Sequence, residues 1–395
     1  MENSVTRTAE GLRAHRGPAL LAGGFRPFFL FAAAWAAIAI ALWLPIFEGH
    51  FELPTAFGPI DWHVHELLYG YGPAAIAGFL LTAIPNWTGR LPVVGRPLAI
   101  LVSLWAIGRL AVTVSAWIGA APAAALDLAF PVALTYVAAR EVRAGKNWRN
   151  LKVVATVALL ALGDAVFHAE AILRGTGSIG QRIGIAATVM LIVIIGGRIV
   201  PSFTINWLRG RGPGRSPIPF ARFDQGVSIA TAVAFAVWIA VPEGPITASV
   251  LLVAGLAHLA RLARWAGWRT WDEKLVFVLH VAYLFVGLGF VLLAASLYGA
   301  PLLPSAALHA WTVGAIGLMT LAVMTRASLG HTGRPLHATR PIALLYAGGL
   351  LAVLARIAMG FGHAEMLFLH LAAVGWLVAF AGFVIVYRPI LTAPR

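Results

Sequence analysis

The sequence contains no cysteine. That excludes disulfides, iron–sulfur clusters and thiolate-held metals, and leaves histidine, methionine and carboxylates as metal-binding side chains. Charge is also scarce: 11% of the 395 residues are charged, against 60% hydrophobic. A soluble chain of this length cannot hide so much apolar surface. The alternation of apolar and polar residues that marks a membrane β-barrel is absent. Acids are outnumbered, 15 Asp and Glu against 29 Lys and Arg, for a net charge of +14. This excess falls in short segments between apolar runs, where it marks topology and not a nucleic-acid surface. The polar start "MENSVTRTAEGLRAHRGPAL" shows no cleavable signal peptide.

What is present is a succession of apolar runs about 20 residues long, enough to cross roughly 30 Å of hydrocarbon. Spans are expected at 25–46, 63–86, 96–118, 121–140, 152–173, 180–203, 222–241, 245–263, 273–298, 304–326, 340–360 and 364–387. The expectation is an all-α polytopic membrane protein of about twelve transmembrane helices, with residues 1–395 forming a single transmembrane helical domain. The connections 47–61 and 204–221, the second containing "RGRGPGRSPIPF", are too short to fold alone. Basic residues gather on one side of these spans: Arg7, Arg13, Arg16 and Arg26, then Arg90 and Arg96, Arg140 to Lys152, Arg209 to Arg222, Arg261 to Lys274, Arg326 to Arg340, and Arg388 with Arg395. The other side holds Arg174 and Arg182 among acids such as Glu48, Glu52, Asp61 and Glu243. Both termini are therefore expected in the cytoplasm.

Within this frame "DWHVHELLYGYG" (61–72) stands out, because His63, His65 and Glu66 are costly at the mouth of an apolar span. Residues two apart on a helix point about 200° away from each other, so His63 and His65 should serve different surroundings. Glu66 could orient a histidine or relay a proton. By depth, His63, His65, His168, His309, His363 and His370 form an outer layer. His258 and His280 lie deeper on adjacent spans that could bring them together, and His331 could join this inner layer. Near span ends, His168, His337 and His363 read as hydrogen-bonded interfacial residues. His258 and His280 read as functional, since buried ionisable groups are expensive in lipid. Arg109, Asp164, Arg198 and Arg356 also fall within spans; Arg109 and Asp164 share a depth and could pair. The arginines Arg109, Arg198 and Arg356 are candidates for holding haem propionates, because guanidinium matches carboxylate geometry.

Three spans end alike: "AIPNWTGR" closes the second, "VPSFTINWLRGRG" the sixth and "ASLGHTGR" the tenth. Their four-span spacing suggests three four-helix repeats, an arrangement similar to the large subunit of haem–copper oxidases. The paired copper-ligating histidines of that subunit are missing from the seventh span.

The strings "WHVHELLYGYGPAAIAGFLLTAIPNWTGR" (62–90) and "HAWTVGAIGLMTLAVMTRASLGHTGRP" (309–335) resemble the NnrS family, as do "GGRIVPSFTINWL" (196–208), "LHVAYLFVGLGF" (279–290) and the ending "YRPILTAPR". The resemblance covers nearly the whole chain. It implies a haem- and copper-containing protein of the bacterial inner membrane, engaged in the nitric oxide response of denitrification or nitrosative stress. The cofactors implied are haem b and copper. Carried onto matching positions, the candidate metal ligands are His63, His65, His280, His309 and His331; His258 is added for its depth and its nearness to His280.

The leading expectation is a haem protein that binds, and reduces, nitric oxide, an apolar gas that concentrates in lipid. Reduction of two molecules to nitrous oxide needs two protons and two electrons. Glu66 and Tyr69 are the candidate catalytic proton donors, and a quinol or cytochrome the electron donor. The alternatives are a secondary transporter, for which twelve spans is a common layout, and a haem or copper sensor without turnover. Haem binding separates the first reading from the transporter, and nitrous oxide production separates enzyme from sensor.

Overall fold

The structure, a computed structural model, describes residues 17–362 and 364–394. His363, Arg7, Arg13, Arg16 and Arg395 lie outside these residues. Among the described residues there is no β-strand, and twelve helices are long and apolar enough to cross a membrane. They are α1 (Phe25–Phe47), α2 (Pro59–Thr88), α3 (Arg96–Thr113), α4 (Ala120–Ala144), α5 (Trp148–Arg174), α6 (Ser178–Leu208), α7 (Arg222–Ala240), α8 (Pro245–Ala263), α9 (Lys274–Leu297), α10 (Pro304–His331), α11 (Arg340–Met359) and α12 (Glu365–Thr392). The chain is an all-α, multi-pass membrane protein.

Local chemistry explains where these helices begin and end. Pro59, Pro97, Pro245, Pro304 and Pro341 stand in the first turns of their helices, where the missing N–H costs nothing and φ is already set. Gly89 and Gly175 close α2 and α5 in the left-handed conformation, at φ 69 and 80. Several boundaries depart from expectation by four or five residues. Pro59 starts α2 ahead of residue 63, and α3 stops at Thr113 because Val114 leaves helical geometry before the short helix Ser115–Ile118. The helix α6 runs on to Leu208, so the connection expected at 204–221 is shorter.

The second, sixth and tenth spans share a feature that hydropathy does not show. Each contains a widened π-helical turn: Glu66–Tyr71 in α2, Ile192–Gly196 in α6 and Ala310–Gly317 in α10. These are the same three spans whose endings suggest a four-span repeat. In α2 the turn takes in Tyr69, whose carbonyl would meet the ring of Pro73 four residues on, a clash that a wider turn relieves.

The chain divides into two compact units. Of the described residues, the first comprises those up to Ala187 with Ala327–Arg334 and those from Phe383 on; the second comprises those of Thr188–Arg326 with those of Pro335–Gly382. In the first, α1 packs on α2, α3 on α4, and α4 on both α2 and α5. Arg26, expected as a loop charge, is instead buried, and its Nη1 donates to the carbonyls of Leu391 and Ala393 at 2.9 and 2.8 Å. In the second unit, α8 packs on α7 and α9, and α10 on α9 and α11. Glu273 caps α9 and ties down the connection after α10, accepting from the N–H groups of Leu275 and Ala338 and from His337. Large apolar side chains stay exposed along the spans, among them Leu110, Ile229, Val253, Leu344 and Ile385. A hydrocarbon surrounding is what such side chains require.

Candidate metal centre

The first unit carries a polar cluster at the start of α2. His65 and Glu66 come from α2, Arg109 from α3, Asp127 from α4, and Asp164 and His168 from α5, one turn apart on the same helical face. All six are buried, none more than 3% exposed. The π turn begins at Glu66 and sets the rotation of this end of α2 against its lower half. Gly70 lies within that turn because a Cβ there would strike the Arg109 guanidinium and come within 3.0 Å of Glu66 Oε2.

Glu66 holds three partners. Its Oε1 accepts from Arg109 Nη1 at 2.8 Å and lies 3.1 Å from His65 Nδ1; its Oε2 accepts from Trp35 Nε1 at 2.6 Å. A carboxylate can only accept, so His65 Nδ1 carries the hydrogen and its Nε2 faces the rest of the cluster. The other end of the Arg109 guanidinium donates to Asp127 Oδ1.

Four ligand atoms then close a ring. His65 Nε2 is 3.1 Å from Asp127 Oδ2 and 3.1 Å from Asp164 Oδ1. His168 Nε2 is 3.0 Å from Asp127 Oδ2 and 3.8 Å from Asp164 Oδ1. All four atoms lie within 4.8 Å of one another. A tetrahedral ion with ligands about 2.1 Å away sets neighbouring ligand atoms about 3.4 Å apart, so the ring has the dimensions of such a site. Charge points the same way. Three buried carboxylates face one guanidinium, and neutral imidazoles leave two negative charges, which a divalent cation balances. The Glu66–His65 contact supplies the carboxylate behind a ligating histidine that holds the ring's tautomer in metal sites.

The remaining candidate residues take other places. His63 leaves the cluster and stacks on Trp43, with ring centroids 4.1 Å apart, so the two neighbouring histidines do face different surroundings. Tyr69 lies beside His65, centroids 5.7 Å apart, but its hydroxyl donates to Gly180 O at 2.5 Å. Gly163 and Gly184 make room for that hydroxyl, which a Cβ on either would strike. His258 and His280 each find a separate hydroxyl. Thr231 gives its own hydrogen to Val227 O and so accepts from His258 Nε2 at 2.8 Å, while Tyr283 donates to His258 Nδ1 at 3.0 Å. Thr204 likewise donates to Val200 O and accepts from His280 Nε2 at 2.8 Å. His309 donates from Nδ1 to Ser305 O and accepts at Nε2 from Arg356, which also approaches Met359 Sδ. His331 ends α10 with its ring 5.4 Å from that of Phe25. Arg198 is half-buried in α6.

The expected Arg109–Asp164 pair is not formed as a direct contact: Arg109 takes Glu66 and Asp127, and Asp164 takes His65. Sequence reasoning also missed Asp127 and placed His168 at the interface. The signal that was available is the Asp164–His168 spacing, two ligand types one turn apart.

These residues fit a metal ion and a porphyrin unequally. The two-nitrogen, two-oxygen set of the ring suits borderline divalent ions, Cu(II) among them. Axial ligation of haem iron needs a free histidine nitrogen. His258 and His309 have both nitrogens engaged, and His280 Nδ1 is pressed against Gly267, where a Cβ would stand 2.5 Å from it. As placed, these three do not fit haem iron.

Fold and site together define a multi-pass membrane protein with a buried, metal-competent histidine–aspartate cluster. A family model described as NnrS protein matches residues 19–395, and the chain belongs to the NnrS family. A search of curated proteins found no significant match.

Proposed function

We propose that this chain is a metalloprotein of the bacterial inner membrane that serves the nitric oxide response, binding nitric oxide at a metal ion held by His65, Asp127, Asp164 and His168. The observation that carries this reading is the closed ring of four buried ligand atoms in a chain of this family. Copper, which the family resemblance implies, is compatible with the donor set. When bound, the ion would supply an electron-accepting centre for the gas. The chain's own residues do the rest. Glu66 orients His65, Arg109 balances two of the carboxylates, and the apolar spans keep bulk water away. Turnover to nitrous oxide would also draw two protons, which the Tyr69 hydroxyl could give and Glu66, a carboxylate, could only relay, and electrons from a quinol or cytochrome. The basic connections support a reading in which both termini face the cytoplasm.

Metal analysis and optical spectra of detergent-purified protein test the reading. About one ion per chain is expected in the wild type and in His258→Ala, and its loss in Asp164→Asn and His168→Ala. A wild type without metal, or Asp164→Asn with full metal, ends it. A Soret band in the wild type that His258→Ala and His280→Ala abolish would return the function to haem.

A further inference from the structure

In the second unit, the connection after α6 is tied to the one between α8 and α9. Residues 209–224 and 264–274 hold seven Arg and Lys against three acids. Two of those acids are engaged: Asp224 is buried against Arg261, and Glu273 is buried under His337 and two backbone N–H groups. That leaves Asp272, exposed, to oppose the basic side chains. The loop between them has a fixed form. Arg269 Nη1 donates to Arg215 O at 3.0 Å, and its Nη2 is shared among the carbonyls of Arg211, Gly212 and Pro213 at 3.2, 3.2 and 3.4 Å. Only glycine suits position 214 in this wrap: its φ is 151, and a Cβ would stand 2.8 Å from Arg269 Cζ. In a trans peptide the N–H points opposite to the carbonyl, and the described peptide bonds are all trans. The N–H groups of Gly212, Gly214 and Ser216 therefore face away from Arg269, and none meets an acceptor among the described residues.

We propose that this loop binds the phosphate of an anionic membrane lipid, through the guanidinium groups of Arg211 and Arg215. Both side chains are exposed, and each lies over an indole: Arg211 Cζ is 3.4 Å from the ring centroid of Trp207, and Arg215 Cζ is 5.6 Å from that of Trp268. A ring covers the face of a guanidinium and leaves its edge, where the N–H donors lie. Neither edge has an acceptor among the described residues. Two such forks, with the N–H groups of Gly212 and Gly214 between them in the chain, suit phosphate oxygens. The four carbonyls that would repel an anion are turned onto Arg269. The surroundings name the source of the phosphate. Trp207 stands in the last turn of α6, and Trp268 and Trp271 are 54% and 65% exposed. Exposed indoles at the ends of membrane spans sit at the depth of the lipid headgroups. An anionic lipid brings its charge to that depth, whereas a zwitterionic lipid also brings an ammonium that opposes the arginines. The site lies wholly within the second unit and does not depend on the metal centre of the first.

Native mass spectrometry of the full chain, released from detergent micelles, tests this with phosphatidylglycerol and phosphatidylcholine of equal chain length as probes. The wild type should bind phosphatidylglycerol at least about tenfold more tightly than phosphatidylcholine. Arg211→Gln with Arg215→Gln should lose that preference. Arg143→Gln with Arg149→Gln removes equal charge from an exposed connection of the first unit and should keep it. Arg211→Lys with Arg215→Lys retains the charge but not the planar fork, should weaken phosphatidylglycerol binding by at least about threefold, and serves if the glutamine pair fails to fold. Inorganic phosphate in large excess should leave the lipid bound. A wild type without the preference overturns the site, as does equal loss in the two glutamine pairs, which would reduce it to bulk charge. A lysine pair that binds like the wild type overturns the role of the forks, and displacement of the lipid by inorganic phosphate overturns the lipid as ligand.

Discussion

Replacing Arg109 with glutamine should be among the most damaging single changes this protein can suffer. The guanidinium is 3% exposed and donates to Glu66, 0% exposed, and to Asp127, 2% exposed. Glutamine keeps some bulk and one amide but removes the only cation of the cluster, so two carboxylates lose their counter-charge inside a low-dielectric bundle. Truncating one partner of a buried ion pair costs about 3–5 kcal/mol, most of it the penalty of the charge left behind. At about 1.4 kcal/mol per factor of ten, that is roughly two to three and a half powers of ten in the folding equilibrium. The assay is reversible unfolding in mixed micelles with a denaturing detergent, followed by tryptophan fluorescence, on metal-free protein. Adding Asp127→Asn to Arg109→Gln should return at least about 2 kcal/mol, because the second change removes one of the stranded charges. A loss below about 1 kcal/mol for Arg109→Gln, or simple additivity in the double variant, would show that water or protons reach the cluster and that the charge argument is wrong.

The second unit offers a parallel. Arg261 Nε donates to Asp224 Oδ1 at 2.8 Å and its Nη1 to Tyr283 at 2.8 Å, all three groups being buried. Arg261→Met should cost about 3–5 kcal/mol in the same unfolding assay while leaving metal content at the His65 cluster intact. Orientation is open to direct test because the chain has no cysteine to remove. A membrane-impermeant maleimide applied to whole cells should label Glu243→Cys and leave Ser216→Cys unlabelled until the membrane is broken. The reverse pattern would invert the topology read from the basic loops.

The spans were legible because roughly 20 consecutive apolar residues have few soluble explanations, and the proline and glycine punctuation lay close to most true ends. The cluster was only partly legible. His65 and Glu66 announced themselves by their cost at the mouth of a span. Asp127 did not, since an isolated acid in the alanine-rich first half of α4 has no motif around it and its partners come from three other helices. Asp164 was visible, but depth alone assigned it to Arg109, and His168 was left at the interface. Depth fixes the height of a side chain along a helix; partner choice depends on rotation about the axis. In α2 that rotation is reset by the π turn, which no pattern of period 3.6 reveals.

That turn carries a prediction of its own. A π turn holds one more residue than the α-helix it replaces, and each α-helical residue advances about 100° around the axis. Deleting Leu67, half-buried within Glu66–Tyr71, should let α2 close into continuous α-helix. The half of α2 after the turn is held by α1 and α4, so the end that carries His65 is the one that turns. A rotation near 100° swings His65 Nε2 away from Asp127 and Asp164, to which it now stands at 3.1 Å. The deleted protein should still insert, because the span remains long enough, but its metal content should fall by at least about tenfold. Leu67→Ala removes the same side chain without changing the residue count, and should keep its metal. Equal metal content in the deletion and the wild type would mean that the cluster tolerates a rotated α2, and that the π turn does not aim His65.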